Sequence, residues 1–166
     1  MLRYYIGISI FLVVLAFGYY AISPLFRNVV VDEALPEGTF APEMKMEEEM
    51  PTQGEARPQA SPPSSTPSAT VTGTLGHPAS GTVRIVEADG KNYVRYENFK
   101  TINGPDIFVY LAKDLDASEF VNLGRVKATE GNINYEIPAG VDPREYPYVL
   151  TWCRAFGVLF NSAKVY

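Results

Sequence analysis

The segment that decides the fold is YVLTWCRAFGVLF, residues 148–160. β-Branched and aromatic residues dominate it, and such a run favours a pleated, largely buried strand. It contains the only tryptophan and the only cysteine of the chain, Trp152 and Cys153. A thiol is the one side chain here that changes oxidation state reversibly or binds a soft metal strongly. Any redox chemistry of the chain is therefore expected at Cys153.

Short apolar and alternating segments surround this one, and turn residues separate them at regular spacing. The pattern predicts eight strands at residues 71–75, 82–87, 93–99, 107–111, 120–126, 133–137, 146–153 and 157–166. No helical period appears among them, although residues 142–146 are long enough for one helical turn. Short strands of this kind are typical of an all-β sandwich or barrel. We predict an antiparallel β-sandwich of about eight strands.

Two turns carry specific sequence signals. Asp89-Gly90 lies between two predicted strands and is a strong signal for a tight hairpin. Asn103-Gly104-Pro105-Asp106 is predicted to be a turn in which Gly104 has positive φ and Pro105 fixes the direction of the chain. Asp106 is expected to cap this turn rather than to bind a cation.

The N-terminal segment predicts a membrane anchor. Residues 4–22 contain no charged side chain, and a helix of that length nearly crosses a hydrocarbon core of about 30 Å. Pairs of tyrosines at both ends fit the interfacial aromatic belt. Arg3 precedes the segment and an acidic stretch follows it, which places the N-terminus in the cytoplasm and the remainder outside the cell membrane. A cleaved signal peptide is the alternative, but the apolar run is longer than usual for one.

Residues 29–70 are rich in proline, acids and small polar residues, and they are predicted to be a disordered linker. The chain is thus divided into an anchor (residues 1–28), a linker (29–70) and a sandwich domain (71–166). The formal charge is −5. It comes mainly from the linker, since from residue 81 onward eleven acids face ten bases. No basic patch stands out, which argues against nucleic acid as a partner.

Several motifs of the predicted domain together resemble the DM13 family. They are GHPASGTV (residues 76–83), NF (98–99), NGPDIFVYL (103–111), LG (123–124), NYEIP (134–138) and WCRAFGVLF (152–160). The set is ordered along the chain and covers residues 77–165. The anchor and the linker lie outside it.

This resemblance implies a β-sandwich with a role in electron transfer. It implies that Cys153 is the redox centre, either as a bare thiol or as a ligand to a prosthetic group such as haem. His77 matches a family motif position and is a candidate second ligand. The chain has no haem-binding domain of its own, so a redox partner, with or without haem, is expected to be a separate protein. The identity of any cofactor is left open.

The residues themselves leave alternatives for Cys153. A strand cysteine is most often an unreactive buried side chain, and an odd cysteine in an exported protein also suits an intermolecular disulfide. Arg154 is expected to face away from Cys153, because neighbours in a strand point to opposite faces. His77 is more simply a turn residue than a ligand.

The motif content narrows the function classes. One histidine is too few for a blue-copper site, and there is no Cys-X-X-Cys pair. No hydrolase, transferase or nucleotide-binding motif is present, so enzymatic activity is left open only as redox chemistry. The competing hypothesis is a non-catalytic interaction or adhesion module on a flexible stalk.

Overall fold

The computed structural model describes residues 2–23, 27–36 and 65–166. In chain order its elements are helix α1 (Leu2–Ile22), strands β1 (Val30–Asp32), β2 (Ala69–Thr70), β3 (Thr72–Gly73), β4 (Ala79–Ala88), β5 (Lys91–Thr101), β6 (Ile107–Ala112), β7 (Phe120–Arg125) and β8 (Glu130–Glu136), a short 3-10 helix (Pro143–Glu145), and strands β9 (Tyr148–Cys153) and β10 (Val158–Lys164).

The strands form two five-stranded sheets that pack face to face. Their orders are β1-β8-β5-β4-β2 and β3-β10-β9-β6-β7. Every strand pair is antiparallel except β1 with β8. The predicted antiparallel sandwich is confirmed. The eight predicted strands correspond to β3–β10, and β1 and β2 are additional.

Alternation along the strands builds the core between the sheets. On β9, Val149, Thr151 and Cys153 are fully enclosed on the inner face, whereas Tyr148 and Trp152 are half-buried on the outer face. Most inner residues of both sheets form one large apolar cluster, and Cys153 belongs to a smaller one with Ile107 and Phe160. Because each fully buried aliphatic or aromatic side chain contributes about 1.5–3 kcal/mol, the large cluster is the main source of stability.

Two local predictions are confirmed. Asp89 and Gly90 join β4 to β5 with φ of 50° and 72°, so both central residues are left-handed, as a tight hairpin requires. The predicted helical turn at 142–146 is the 3-10 helix, and the Asp142 side chain caps it by accepting a hydrogen bond from the Arg144 backbone amide.

Both ends of the predicted linker belong to the sandwich, which differs from the division made from sequence. Val30–Asp32 pairs in parallel with the edge of β8, and Ala69–Thr70 pairs with β4. The part of the linker at residues 37–64 lies outside the described residues. A three-residue strand has no period of its own, and its pairing with a partner 100 residues away is decided only by the assembled sheet.

Arg95 binds the segment that follows β1 to the sheet. Its buried guanidinium donates hydrogen bonds to the carbonyl oxygens of Glu33 (2.8 Å) and Ala34 (3.2 Å) and to the Asn134 side chain (3.0 Å). Carbonyl oxygens bound to a buried cation are strongly held. Residues 33 and 34 therefore stay on the sheet beyond the end of β1.

The two ends of the sandwich are distinct. One end carries the turns at residues 74–78, 102–106, 126–129 and 154–157, and the chain arriving from α1 is bound there. At this end the Asn103 side chain donates to the carbonyl of Arg27 (3.0 Å), and the amide of Thr129 donates to the carbonyl of Val29 (2.8 Å). We call it the proximal end and the opposite one the distal end.

Helix α1 precedes the sandwich. Residues 3–22 form a helix that is long and apolar enough to cross a membrane, and none of this stretch is buried against the rest of the protein. A helix that is hydrophobic on all sides is not stable in water and needs an apolar environment around it.

Candidate functional site

Cys153 lies at the proximal end of the core. It is the last residue of β9, paired with Ile107 on β6 and with Val158 on β10. Its exposure is 0 %, and its buried neighbours are Ile107 and Phe160. The thiol is therefore enclosed by apolar side chains in this conformation. The sulfur of another molecule cannot contact it directly.

Phe160 encloses the sulfur because of an irregularity in β10. The register between β9 and β10 shifts between Leu159 and Asn161, which places Phe160 at the bulge. Bulges re-aim side chains and are enriched near functional sites. Here the bulge turns the Phe160 ring into the group formed by Ile107 and Cys153.

Gly104 leaves room for that ring. A Cβ at Gly104 would lie 2.9 Å from Ile107 Cγ2 and 3.0 Å from Phe160 Cζ. The sequence predicted positive φ at this glycine, and that prediction is wrong, since Gly104 is absent from the residues with positive φ in the described chain. The glycine serves close packing rather than a left-handed turn.

His77 lies on the other side of Phe160. The two rings stack with centroids 4.0 Å apart and an interplanar angle of 27°. His77 is half-buried in the turn that follows β3, as the sequence predicted for a turn residue. The structure thus brings His77 and Cys153 to one proximal cluster, in which Phe160 stacks on His77 and packs with Cys153.

Thr74 fixes the tautomer of His77. The Thr74 hydroxyl donates its single hydrogen to the carbonyl of Leu159 (2.7 Å), and its oxygen lies 3.1 Å from His77 Nδ1. Because the hydroxyl hydrogen is already used, Nδ1 must be the donor of that contact. Neutral His77 therefore carries its proton on Nδ1 and keeps the lone pair of Nε2 available, which is how a ligating histidine is usually oriented.

Arg154 follows Cys153 and turns outward, which confirms the expectation from strand alternation. Its guanidinium stacks on Phe108 at 4.3 Å, and its Nε donates to Asp106 (3.0 Å). Arg125 makes a second ion pair with the same carboxylate. Asp106 therefore links β6, β7 and the turn after β9 at the proximal end, a role that the sequence did not indicate.

The two arginines perturb the Asp106 carboxyl. Burial opposes its ionisation, but hydrogen bonds from Arg154 and Arg125 outweigh burial and hold the pKa of Asp106 below its usual value of 3.8. A carboxyl with a lowered folded-state pKa stabilises the protein above its unfolded-state pKa and loses that effect as pH falls through its folded-state pKa.

We expect Asp106→Asn to lower the free energy of unfolding by about 1 kcal/mol at neutral pH, the range of exposed ion pairs. The difference from the wild type should shrink as pH falls below about 3.8, because the carboxyl of the unfolded state takes up its proton first and that of the folded state follows at lower pH. Urea unfolding at several pH values measures this. Asp116→Asn, on an exposed distal loop, should change little, and a pH-independent effect of Asp106→Asn would contradict the assignment.

A comparison with protein-family models bears on the role of this cluster. The model described as Electron transfer DM13 matches residues 72–165, more than half of the chain, and its range includes both His77 and Cys153. The chain belongs to the DM13 family. No curated protein and no solved structure matches it.

The packing of the DM13 domain bears on whether it holds haem through Cys153. A thiolate ligand needs its sulfur to face an open coordination position, but Cys153 is fully buried in one apolar cluster with Ile107 and Phe160. The side chains of Ile107 and Phe160 also lie so close to Gly104 that even an added Cβ there would be crowded. The residues around Cys153 do not fit a haem, and we derive no step through one. Within the described ranges, no three histidine, cysteine, aspartate or glutamate side chains are grouped to hold a metal ion.

Two residues of the proximal cluster, Phe160 and Thr74, were not predicted from the sequence to belong to the site. Phe160 was part of a predicted strand, and only the structure shows that it stacks on His77 and packs with Cys153. Thr74 was also assigned to a strand, and its hydroxyl orients the histidine. The T-x-x-H spacing in one short turn is the signal from which this hydrogen bond was predictable.

Proposed function

We propose that this DM13 protein is a membrane-anchored, extracytoplasmic component of electron transfer, with Cys153 as its redox-active group. The observation that carries the proposal is the electron-transfer family match over a region that contains the only thiol of the chain. The apolar helix α1 supports the anchor, and Arg3 before it supports a cytoplasmic N-terminus.

The chemistry open to a lone cysteine is exchange with a partner that carries a disulfide. The Cys153 thiolate attacks one sulfur of that disulfide, a new S–S bond forms, and the second partner sulfur leaves as a thiolate with the electron pair of the broken bond. A thiolate of a second protein that carries a dithiol then attacks the Cys153 sulfur, and the partner leaves fully reduced as a dithiol. The second thiol of that protein attacks its own mixed-disulfide sulfur, which releases the Cys153 thiolate and closes a disulfide in the donor, so two electrons pass from the dithiol to the disulfide.

Exchange requires the proximal end to open, because the sulfur is enclosed in the closed conformation. The cover consists of Phe160, the His77 ring stacked on it, and the exposed turn 154–157. Turns with few buried apolar contacts are drawn from the low-stability part of a structure. We therefore propose a local opening of this cover without unfolding of the sandwich.

Native-state labelling of Cys153 with a small thiol reagent tests the proposal. We expect slow labelling of the folded protein at a rate that depends less on urea than global unfolding does, because local opening exposes less surface. Cys153→Ser is the control for reagent specificity. Labelling that follows global unfolding alone would remove Cys153 as the redox centre.

One observation favours a second candidate function. Full burial of Cys153 is what a structural cysteine shows, and it suits a non-catalytic interaction or adhesion module. The same labelling experiment separates the two functions, since an interaction module needs no opening at the proximal end. Redox cycling with a disulfide-bearing partner, lost in Cys153→Ser, would exclude the passive module.

The anchor has its own test. Membranes from cells that express the full chain are washed with alkaline carbonate, which strips peripheral proteins. We expect the chain to stay with the membrane at its full mass, because the apolar run of about 30 Å matches the hydrocarbon core. Release of a shortened protein would identify α1 as a cleaved signal peptide instead.

A further inference from the structure

The chain arriving from α1 is bound at the proximal end, next to the turn that precedes β6. Asn103 holds the carbonyl of Arg27, and Val29 exchanges hydrogen bonds with Thr129 through both its amide and its carbonyl. β1 then continues along β8 toward the distal end. The first point of attachment on the sandwich is therefore at the proximal end.

The reach of the chain sets the distance between the sandwich and the end of α1. Four residue steps separate Ser23 from Arg27, and an extended chain covers at most about 14 Å in four steps. The headgroup layer on each side of a bilayer is about 5 to 8 Å thick. If α1 crosses a membrane, the proximal end has to lie at the membrane surface.

Apolar side chains project from this same end. Leu75 is 101 % exposed in the turn after β3, and Phe156 is 48 % exposed in the turn before β10. The two turns are neighbours, because β3 pairs with β10 and Thr74 bonds to the carbonyls of Leu159 and Phe160. Single exposed apolar residues are ordinary, but two on adjacent turns beside a membrane-spanning helix are suited to insertion among headgroups.

The charge distribution has the polarity that an anionic lipid surface attracts. The proximal segments 27–29, 74–78, 100–106, 125–130 and 154–158 carry five bases and two acids, and Glu33, which binds Lys127, adds a third acid. The distal segments 87–91, 113–119, 136–145 and 164 carry eight acids and four bases. The sandwich is therefore basic toward the anchor and acidic away from it, although its total charge is nearly neutral.

The proximal bases are only partly neutralised. Arg125 and Arg154 share the single carboxylate of Asp106 and remain 65 % and 58 % exposed, whereas Lys127 is bound by Glu33 and Lys100 by Glu130. Two guanidinium groups on one carboxylate leave a net positive charge. Guanidinium groups bind phosphate oxygens bidentately, which suits lipid headgroups.

We propose that the proximal end of the sandwich docks on the anionic lipid surface of the membrane that holds α1, with Leu75 and Phe156 inserted among the headgroups and Arg125 and Arg154 on lipid phosphates. This inference rests on the proposed membrane anchor. It deepens the proposed function, because the cover over Cys153 then lies against the membrane. A redox partner has to approach within or along the same bilayer.

Tryptophan quenching in vesicles tests this proposal. The full chain is reconstituted in phosphatidylcholine and phosphatidylglycerol vesicles that contain lipids brominated near the headgroup. Leu75→Trp and Phe156→Trp are compared with Leu115→Trp, an apolar position on the distal loop between β6 and β7 that is 43 % exposed, close to the exposure of Phe156. The parent protein, whose only tryptophan is Trp152, provides the background signal.

We expect the fluorescence added at positions 75 and 156 to be largely lost, and that added at position 115 to be retained. Replacing the anionic lipid by phosphatidylcholine should weaken the quenching, because the arginines lose their phosphate-rich surface. Equal quenching at all three positions, or none at 75 and 156, overturns the docking. Carbonate extraction of the same vesicles separates the two failures. Retention without quenching rejects docking alone, and release of the chain rejects the anchor.

Discussion

Replacing Phe160 by alanine is expected to lower the free energy of unfolding by about 3–5 kcal/mol and to make Cys153 reactive in the folded protein. The Phe160 ring is buried against Ile107 and Cys153, and it supports the stacked ring of His77. Its removal leaves a cavity beside the sulfur that the rigid sheets fill only in part. Urea unfolding measures the stability, and the rate of thiol labelling without denaturant measures the access.

A matched control separates access from loss of stability. Leu111 is fully buried on β6 in the larger apolar cluster, four residues beyond Ile107 toward the distal end. Leu111→Ala should cost a similar 2–5 kcal/mol but leave the cover over Cys153 in place. Faster labelling in Phe160→Ala than in Leu111→Ala is the expected result. Equal rates would mean that both variants expose the thiol by global unfolding, and the proposed opening of the proximal end would fail.

Gly131→Ala is expected to release β1 from the sandwich and to cost about 2–4 kcal/mol. Gly131 has a φ of +121°, where an L side chain is strained by about 1–3 kcal/mol. A Cβ there would also overlap the carbonyl oxygen of Val31, its partner in the parallel pair. Each lost backbone hydrogen bond adds about 0.5–1.5 kcal/mol. Urea unfolding and limited proteolysis within residues 27–36 measure the two effects.

Gly124→Ala is the control for backbone strain. Gly124 has a φ of +111°, and a Cβ there would have nothing within 4 Å, so only the backbone penalty applies. We expect Gly124→Ala to lose stability without new cleavage near β1. When Gly131→Ala is combined with Leu75→Trp, release of β1 should also lower the quenching in vesicles. The reason is that a longer connection to α1 allows the sandwich to move away from the membrane surface. Protection of residues 27–36 equal to the wild type would contradict the role of Gly131.

The position of β1 changes the picture of the anchor. A linker of 42 residues between helix and domain predicts a module on a long stalk. With β1 paired to β8 and Arg95 holding residues 33 and 34, the free connection is reduced to the few residues between Ser23 and Arg27. The described chain resumes at Ser65, which pairs with Val86. The sandwich is consequently held close to the end of α1.

Much of the fold was predictable because it depends on local patterns. Alternation identified the eight strands from β3 to β10, and Asp89-Gly90 identified the hairpin between β4 and β5. Strand alternation also predicted that Arg154 turns away from Cys153, and it does so in the turn directly after β9. These features follow from the period of two in a strand and from turn chemistry, which neighbouring residues encode directly.

For the candidate site, the sequence predicted two residues but not how they are arranged in space. Cys153 was evident as the lone thiol, and His77 came from the family resemblance. Their relation depends on the Phe160 bulge and on the space at Gly104, which arise from contacts across β6, β9 and β10. Register shifts between strands distant in sequence leave no signal in either strand alone.

The sequence by itself determined an apolar N-terminal helix, an all-β domain of the DM13 family and a single thiol in a buried strand, because composition and periodicity are local properties of the chain. Only the tertiary structure decided that the thiol is enclosed and that Phe160 packs with Cys153 and stacks on His77. It also decided that residues 30–32 pair with residues 130–132, which lie 100 positions later in the chain. The physical reason is that burial, register and edge pairing depend on which distant surfaces meet. The same assembly placed Leu75, Phe156 and the exposed arginines at the end of the sandwich where the chain arrives from α1.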